Sequence, residues 1–293
     1  MTSEYRVINI GVPQWSILGP FLFLIYINDL HLAPHIFSYA DDTAVFSVAS
    51  GWSQAESQMS ETLANINDWF IANKLTLNLD KSVFITFGCN KKSIPNDDFT
   101  LNISKHNLKR VTTFKYLGIF IDQFLKWNNH VDYITKRVKH LLFIFYKFKF
   151  IHKNILKIIY FSLFLGVVSY AISVWGCAYD RALKTLQAYQ NKIKKLINSD
   201  NFTILNLKQL FKINSLCYYY KDLNNEFINT KVRNRNKLLT LPRIKKTIFL
   251  KSPYIVSIKN YNLLPIALKN ITFKNQSSLK FKLMQYFSKL STF

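Results

Sequence analysis

Two adjacent carboxylates, Asp41 and Asp42, stand between β-prone flanks, with Phe37 and Tyr39 before them and Val45 to Val48 after them. That pattern predicts a hairpin presenting both acids at its tip. Like charges placed together repel, so the pair asks for a cation. Mg²⁺ answers this chemistry, because it prefers carboxylate oxygens and keeps waters and substrate phosphates in its shell. Taken alone, an Asp-Asp pair reads as well as an Asx-rich turn. What surrounds it in the chain decides between the two.

The chain has 293 residues, of which 49% are hydrophobic and 19% charged, which excludes a disordered polypeptide. Only 7 Gly and 7 Pro leave little room for a flexible linker. Ser53 to Asn73 reads as a helix opened by a Ser53–Glu56 capping box, with Met59, Leu63, Ile66 and Phe70 on one face. Val83 to Phe87 and Val111 to Ile121 read as β-rich, the second broken by Gly118. Trp127 to Phe150 reads as a helix, and so does Asp180 to Ile197. In the latter, Leu183, Leu186, Gln190, Ile193 and Ile197 form the inward stripe. Phe161 to Trp175 is apolar, but its 15 residues fall short of a bilayer span, so a buried core helix is expected. The expected class is α+β, mixed up to about residue 125 and mostly helical afterwards.

Charge is divided unevenly. Residues 141–293 carry 26 Lys and Arg against 4 Asp and Glu, and no acid follows Glu226. Such a surplus calls for a polyanion, nucleic acid before an anionic membrane surface. Lysines interleave with aromatics at Lys147-Phe148-Lys149-Phe150 and at Cys217-Tyr218-Tyr219-Tyr220-Lys221, where cations can track phosphates and rings can stack on bases. The alternative is core aromatics with a solvated lysine rim. Three scattered cysteines exclude a zinc site or disulfide framework, and the start of the chain lacks a signal-peptide layout. An intracellular protein, cytoplasmic or nuclear and not secreted, is expected. No membrane partner is expected; a membrane-associated protein built on the Phe161 run and the cationic tail is the weaker reading.

The acid pair has company in a fixed order: Gly11-Val12-Pro13-Gln14-Trp15-Ser16-Ile17-Leu18-Gly19-Pro20 upstream, then Leu75 to Ser82 (LTLNLDKS) and Phe114 to Asp122 (FKYLGIFID) downstream. Further along come Ser169 to Gly176 and Leu186 to Lys192. Together these resemble the reverse transcriptases of non-LTR, LINE-like retrotransposons. The resemblance implies part of a polymerase palm, an antiparallel sheet with packed helices, over 1–125. A helical thumb over 126–200 and a basic C-terminal region over 201–293 would follow. It implies RNA-directed DNA synthesis from a primer 3′-hydroxyl by a two-metal mechanism using Mg²⁺, with Mn²⁺ as a substitute. RNA template, DNA primer and deoxynucleotides are the implied partners. Asp41 would be a metal ligand and Asp42 its weaker neighbour. Tyr39 and Ala40 would lie near the primer end. Pro13, Gln14 and Trp15 would line the nucleotide and template side. Lys81 would steady the pyrophosphate or stand as an ordinary exposed lysine. Tyr116, Leu117 and Gly118 would support the primer.

Three departures qualify what the resemblance implies: no endonuclease, ribonuclease H or zinc-knuckle pattern appears, and two others concern the site itself. The family uses a further Asp from an earlier palm strand, and only ten residues precede Gly11, with Glu4 their sole acid. Trp15 stands where the family has Gly, placing an indole beside the nucleotide pocket. Each loss costs orders of magnitude in rate, since about 1.4 kcal/mol is tenfold. The expectation is therefore a reverse transcriptase domain that does not extend a primer as this chain alone. The alternative is a non-catalytic nucleic-acid-binding remnant of a decayed element. A palm lacking its first strands should also leave an open sheet edge and an uncovered apolar face.

Overall fold

The computed structural model describes residues 16–32, 35–197, 204–218, 238–243, 250–269 and 276–290. The chain forms two compact units, one of residues 1–86 and 92–111, the other of residues 87–91 and 112–293. Helices with small sheets make the class α+β.

The first unit opens with helix α1, Leu18–Ile27. The Ser16 hydroxyl accepts the Gly19 N–H at its start, satisfying one donor that a helix leaves free. A short 3₁₀ turn, Asn28–Leu32, leads to a hairpin of β1 (Ile36–Tyr39) and β2 (Asp42–Val45). Helix α2 spans Trp52–Ala72 and buries Leu63, Ile66 and Phe70, with Met59 packed beside them. The periodic face is as expected; the capping box is not. The helix starts one residue earlier, from Gly51 with no side-chain cap, because Trp52 packs edge-on against Phe99. Glu56 turns instead to accept the Thr100 N–H. The β-rich runs are shorter than expected. Val83 to Phe87 contributes only β3, Val83–Phe84, which pairs in parallel with β6, Lys109–Arg110. A small hairpin of β4 (Asn102–Ile103) and β5 (His106–Asn107) covers α2.

Two small clusters hold this unit: Ile27, Leu30, Ile36, Ile66 and Phe70 in one, Leu63, Leu101, Ile103 and Leu108 in the other. Much apolar surface stays uncovered among the described residues. Leu18, Phe21, Leu24 and Ile25 of α1 are exposed, as are Phe37 and Phe46 on the hairpin.

The second unit begins with a hairpin of β7 (Thr113–Tyr116) and β8 (Ile119–Asp122), then helix α3, Asn128–Lys147. Helix α4 (Lys153–Ile159) runs through a π turn at Tyr160–Leu165 into α5, Gly166–Ser169. A bend at Tyr170–Ala171 then leads to α6, Ile172–Trp175. Phe161 to Trp175 is thus core, with Phe164, Val168, Ile172 and Trp175 buried, but it is broken rather than one helix. No helix among the described residues is long and apolar enough to cross a membrane. Helix α7, Asp180–Ile197, lies along α3 and buries every member of the expected stripe. Helix α8 (Leu207–Tyr218) and helices over Pro253–Asn262 and Gln276–Leu290 complete the layer. One continuous core, from Val131 of α3 to Phe287, runs through this unit.

Candidate active site and nucleic-acid interface

In the first unit the β1–β2 register pairs Tyr39 with Asp42, leaving Ala40 and Asp41 as a two-residue loop. Ile36 anchors the hairpin in the core, and the Ser38 and Thr43 hydroxyls pair across it at 3.3 Å. Phe37 stacks on Phe46 at 5.4 Å. Ala40 takes φ +53°, which costs an L residue about 1–2 kcal/mol. A positive φ at the first loop position matches the right-handed twist of the strands. Directly paired residues share a face, so Tyr39 and Asp42 lie together beside the Asp41 turn. All three are exposed. Their hard oxygen donors suit an open Mg²⁺ site completed by water and phosphate. Among the described residues, no three His, Cys, Asp or Glu side chains come together.

Leu75 and Leu77 pack into the cluster that holds Ile36 and Phe70, so the LTLNLDKS segment and the acid hairpin share one core. Asn78 builds the turn that follows. Its Oδ1 accepts the Lys81 N–H at 3.2 Å, and its carbonyl accepts the Ser82 hydroxyl at 2.9 Å. The Lys81 side chain is exposed. Pro13, Gln14 and Trp15 lie outside the described residues.

In the second unit Tyr116 pairs with Ile119 around a Leu117–Gly118 loop. Leu117 has φ +44° and Gly118 +81°, the sign pattern of a type I′ turn. Gly118 meets this demand freely; Leu117 does so at about 1–2 kcal/mol. A lone two-stranded ribbon is marginal, and here helices support it. The Tyr170 hydroxyl donates to the Leu117 carbonyl at 2.7 Å. The Phe120 N–H, which points away from β7, donates to His130 Nδ1 at 3.3 Å. The Trp175 indole N–H donates to the Tyr170 carbonyl at 2.9 Å, and its ring lies edge-to-face with His130 at 5.5 Å. Hairpin, Tyr170, Trp175 and His130 thus form a closed circuit. Asp122 fixes the exit: it accepts N–H bonds from Phe124, Lys126 and Trp127.

His130 is buried, and its Nε2 has no hydrogen-bond partner among the described residues. Desolvation lowers its pKa from 6.5 to about 4. Since Nδ1 accepts, the neutral ring carries its proton on Nε2. A cavity of about 320 Å³ opens between the hairpin and the helices, lined by Gly118, His130, Tyr133, Arg137, Ser162 and Tyr170.

Several lysines of this unit sit over aromatic rings. Lys115 lies 5.1 Å and Arg137 5.8 Å from the Tyr133 ring. Lys147 lies over Phe143, Lys149 over Phe150 and Lys251 over Tyr179. At Lys147 to Phe150 the aromatics are surface rather than core, with Phe150 88% exposed. In the second lysine–aromatic run Cys217 is buried and Tyr218 exposed; Tyr219, Tyr220 and Lys221 lie outside the described residues.

Residues 2–121 match the family described as reverse transcriptase (RNA-dependent DNA polymerase). The chain is also 26% identical over 253 residues to the probable RNA-directed DNA polymerase from transposon X-element of Drosophila melanogaster, covering 81% of this chain and 27% of that protein. Residues 2–121 are thus similar to reverse transcriptases, and the chain as a whole is similar to polymerases of LINE-like elements. The chain is also 25% identical over 210 residues to the RNA-directed DNA polymerase from mobile element jockey of the same fly. That match covers 67% of this chain and 22% of that protein. It is likewise 25% identical over 206 residues to the probable RNA-directed DNA polymerase from transposon BS, covering 66% and 22%. The chain therefore spans about a quarter of the length of these relatives. No solved structure matches it.

Sequence reasoning passed over three residues that organise the β7–β8 hairpin and its exit: Trp127, His130 and the Tyr170 hydroxyl. The signal was there in Asp122, Trp127 and His130, polar or aromatic groups crowded at a strand-to-helix junction. Only the partner on β8 makes it readable.

Proposed function

We propose that the chain is the rear of a reverse transcriptase palm, 1–125, followed by a helical thumb, 126–200, and a basic C-terminal region, 201–293. It holds an RNA template and DNA primer and contributes two carboxylates to the metals of nucleotidyl transfer. The observation that supports this best is the β1–β2 hairpin, which sets Asp41 in the loop, Asp42 at the head of β2 and Tyr39 opposite it. Mg²⁺, or Mn²⁺ in its place, would be held by Asp41 and Asp42, and it would supply charge stabilisation at the reacting phosphate. Asp41 offers the freer carboxylate. Tyr39 and Ala40 carry the primer side of the tip. By the resemblance, Pro13, Gln14 and Trp15 would contact nucleotide and template, and the exposed Lys81 is free to reach the leaving group. Tyr116, Leu117 and Gly118 support the primer backbone, and the lysine–aromatic surface of the second unit takes up phosphates and bases.

One sequence feature favours binding without catalysis: Trp15 places an indole where the resembled family has Gly. The chain alone binds primer–template and does not extend it. Primer extension on an RNA template with Mg²⁺ or Mn²⁺ tests catalysis, and nucleotide incorporation overturns that part of the reading. Fluorescence anisotropy of a labelled primer–template over 50–200 mM salt tests binding; several phosphate contacts predict a loss of about 10³-fold or more across that range. A flat salt profile overturns the binding reading.

A further inference from the structure

The Leu117–Gly118 turn is held in an unfavourable backbone by groups from outside its own hairpin. Leu117, a bulky L residue, sits at φ +44°, a conformation that persists only where its surroundings over-determine it. Two side chains do so here. Tyr170, at the bend before α6, donates its hydroxyl to the Leu117 carbonyl. His130, on the first turn of α3, accepts the outward Phe120 N–H on Nδ1. The Tyr170 ring also lies 3.5 Å from the position a Gly118 Cβ would take. Trp175 closes the circuit by bonding the Tyr170 carbonyl and packing on His130.

We propose that Tyr170 and His130 are positioning residues that clamp the tip of the β7–β8 hairpin to the helices of the second unit, so that tip and helices move as one body. Resting on the reading of that tip as the primer support, the clamp sets where the primer 3′ end is held. Neither residue needs to touch nucleic acid. Tyr170 supplies a donor, His130 an acceptor, and the strained turn between them has no freedom to retreat when a primer backbone presses on it.

The test uses the full chain with Tyr170→Phe. Tyr170 is 53% exposed, so loss of its hydroxyl leaves packing intact. Hydrogen–deuterium exchange of residues 116–121 should quicken by about 5-fold, the worth of one ordinary hydrogen bond, with the melting temperature little changed. His130→Asn keeps an acceptor near Nδ1 and should preserve protection of the turn. His130→Gln, whose polar atoms lie near Nε2, should lose it. Unchanged exchange in both Tyr170→Phe and His130→Gln overturns the clamp. Binding separates the clamp from the reading beneath it. Wild type should prefer a recessed primer 3′ end over blunt duplex, and Tyr170→Phe should lose that preference while binding blunt duplex as before. If wild type shows no preference, the primer-support reading fails, and the exchange data alone decide the clamp. If wild type shows it and Tyr170→Phe retains it despite faster exchange, the positioning role fails.

Discussion

Gln190 donates to the hydroxyl of Tyr160 at 2.9 Å in the interior of the second unit, thirty residues away along the chain. The same amide nitrogen donates to the Leu205 carbonyl, and Gln187 donates to its oxygen. A fully buried amide in an apolar stripe is tolerable only when every polar atom is matched. Burial pushes the Tyr160 phenol up to about 12, so it stays neutral and available to this pair.

Replacing Gln190 with Leu should destabilise the second unit by about 2–3 kcal/mol, because the Tyr160 hydroxyl and Leu205 carbonyl lose a buried partner. Tyr160→Phe removes one partner only and should cost about 1 kcal/mol. Urea unfolding of both single variants and the double variant measures this. A double variant no better than the sum of the singles would show the pair uncoupled.

Stability should fall as acid is added below the ordinary histidine pKa. His130 has a folded pKa near 4 against 6.5. Its contribution is thus complete above about 6.5, and it is lost as pH falls toward 4, where the unfolded chain binds the extra proton. The loss should reach about 3 kcal/mol. Denaturation midpoints at pH 7 and pH 4.5 should converge in His130→Asn; an equal drop in that variant would assign the acid sensitivity to other groups.

Two small residues near the same bend should respond in opposite directions. Ala171 sits at φ +48°, where Gly carries no steric penalty, so Ala171→Gly should add about 0.5–1 kcal/mol after its entropy cost. A Cβ on Gly176 would come within 2.5 Å of both the Ile172 carbonyl and the Phe211 ring. Gly176→Ala should therefore cost about 1–3 kcal/mol by overpacking α6 against α8. Thermal melts of the two variants check both signs.

Asp41 and Asp42 are exposed and contribute little to folding, so the Asp41→Asn, Asp42→Asn double variant should melt within about 0.5 kcal/mol of wild type. It should lose Mn²⁺ binding at the hairpin, read by paramagnetic broadening of Tyr39 resonances. It should also bind primer–template more tightly without metal, since two repelling charges are gone. Retained broadening in the double variant would place the metal elsewhere.

Sequence pattern reached far where structure is local. The stripe from Leu183 to Ile197 needs only the 3.6-residue period to be read, and all of its members are buried. The break at Gly118 follows from a residue that accepts φ +81°. The acid hairpin was legible because β-prone flanks and a two-residue loop fix their own register. The capping box was misread because a neighbour in space competed for it: Trp52 found Phe99, and Glu56 found the Thr100 amide. Phe161 to Trp175 was rightly read as core and wrongly read as one helix. The bend at Tyr170–Ala171 carries no Gly or Pro to announce it, and the Trp175–Tyr170 bond bridges it.

What the sequence alone determined is the set of short-range features: amphipathic faces, paired acids on a turn, a cationic second half, and ordered motifs that resemble those of reverse transcriptases. Tertiary structure alone decided which distant groups answer one another. Nothing near Leu117 in the chain predicts Tyr170, and nothing near Phe120 predicts that His130 accepts its N–H. A hydrogen bond depends on separation in space, while sequence pattern reports only spacing along the chain. A strained turn can be read from its own residues; the partners that hold it in place become visible only once the helices have packed.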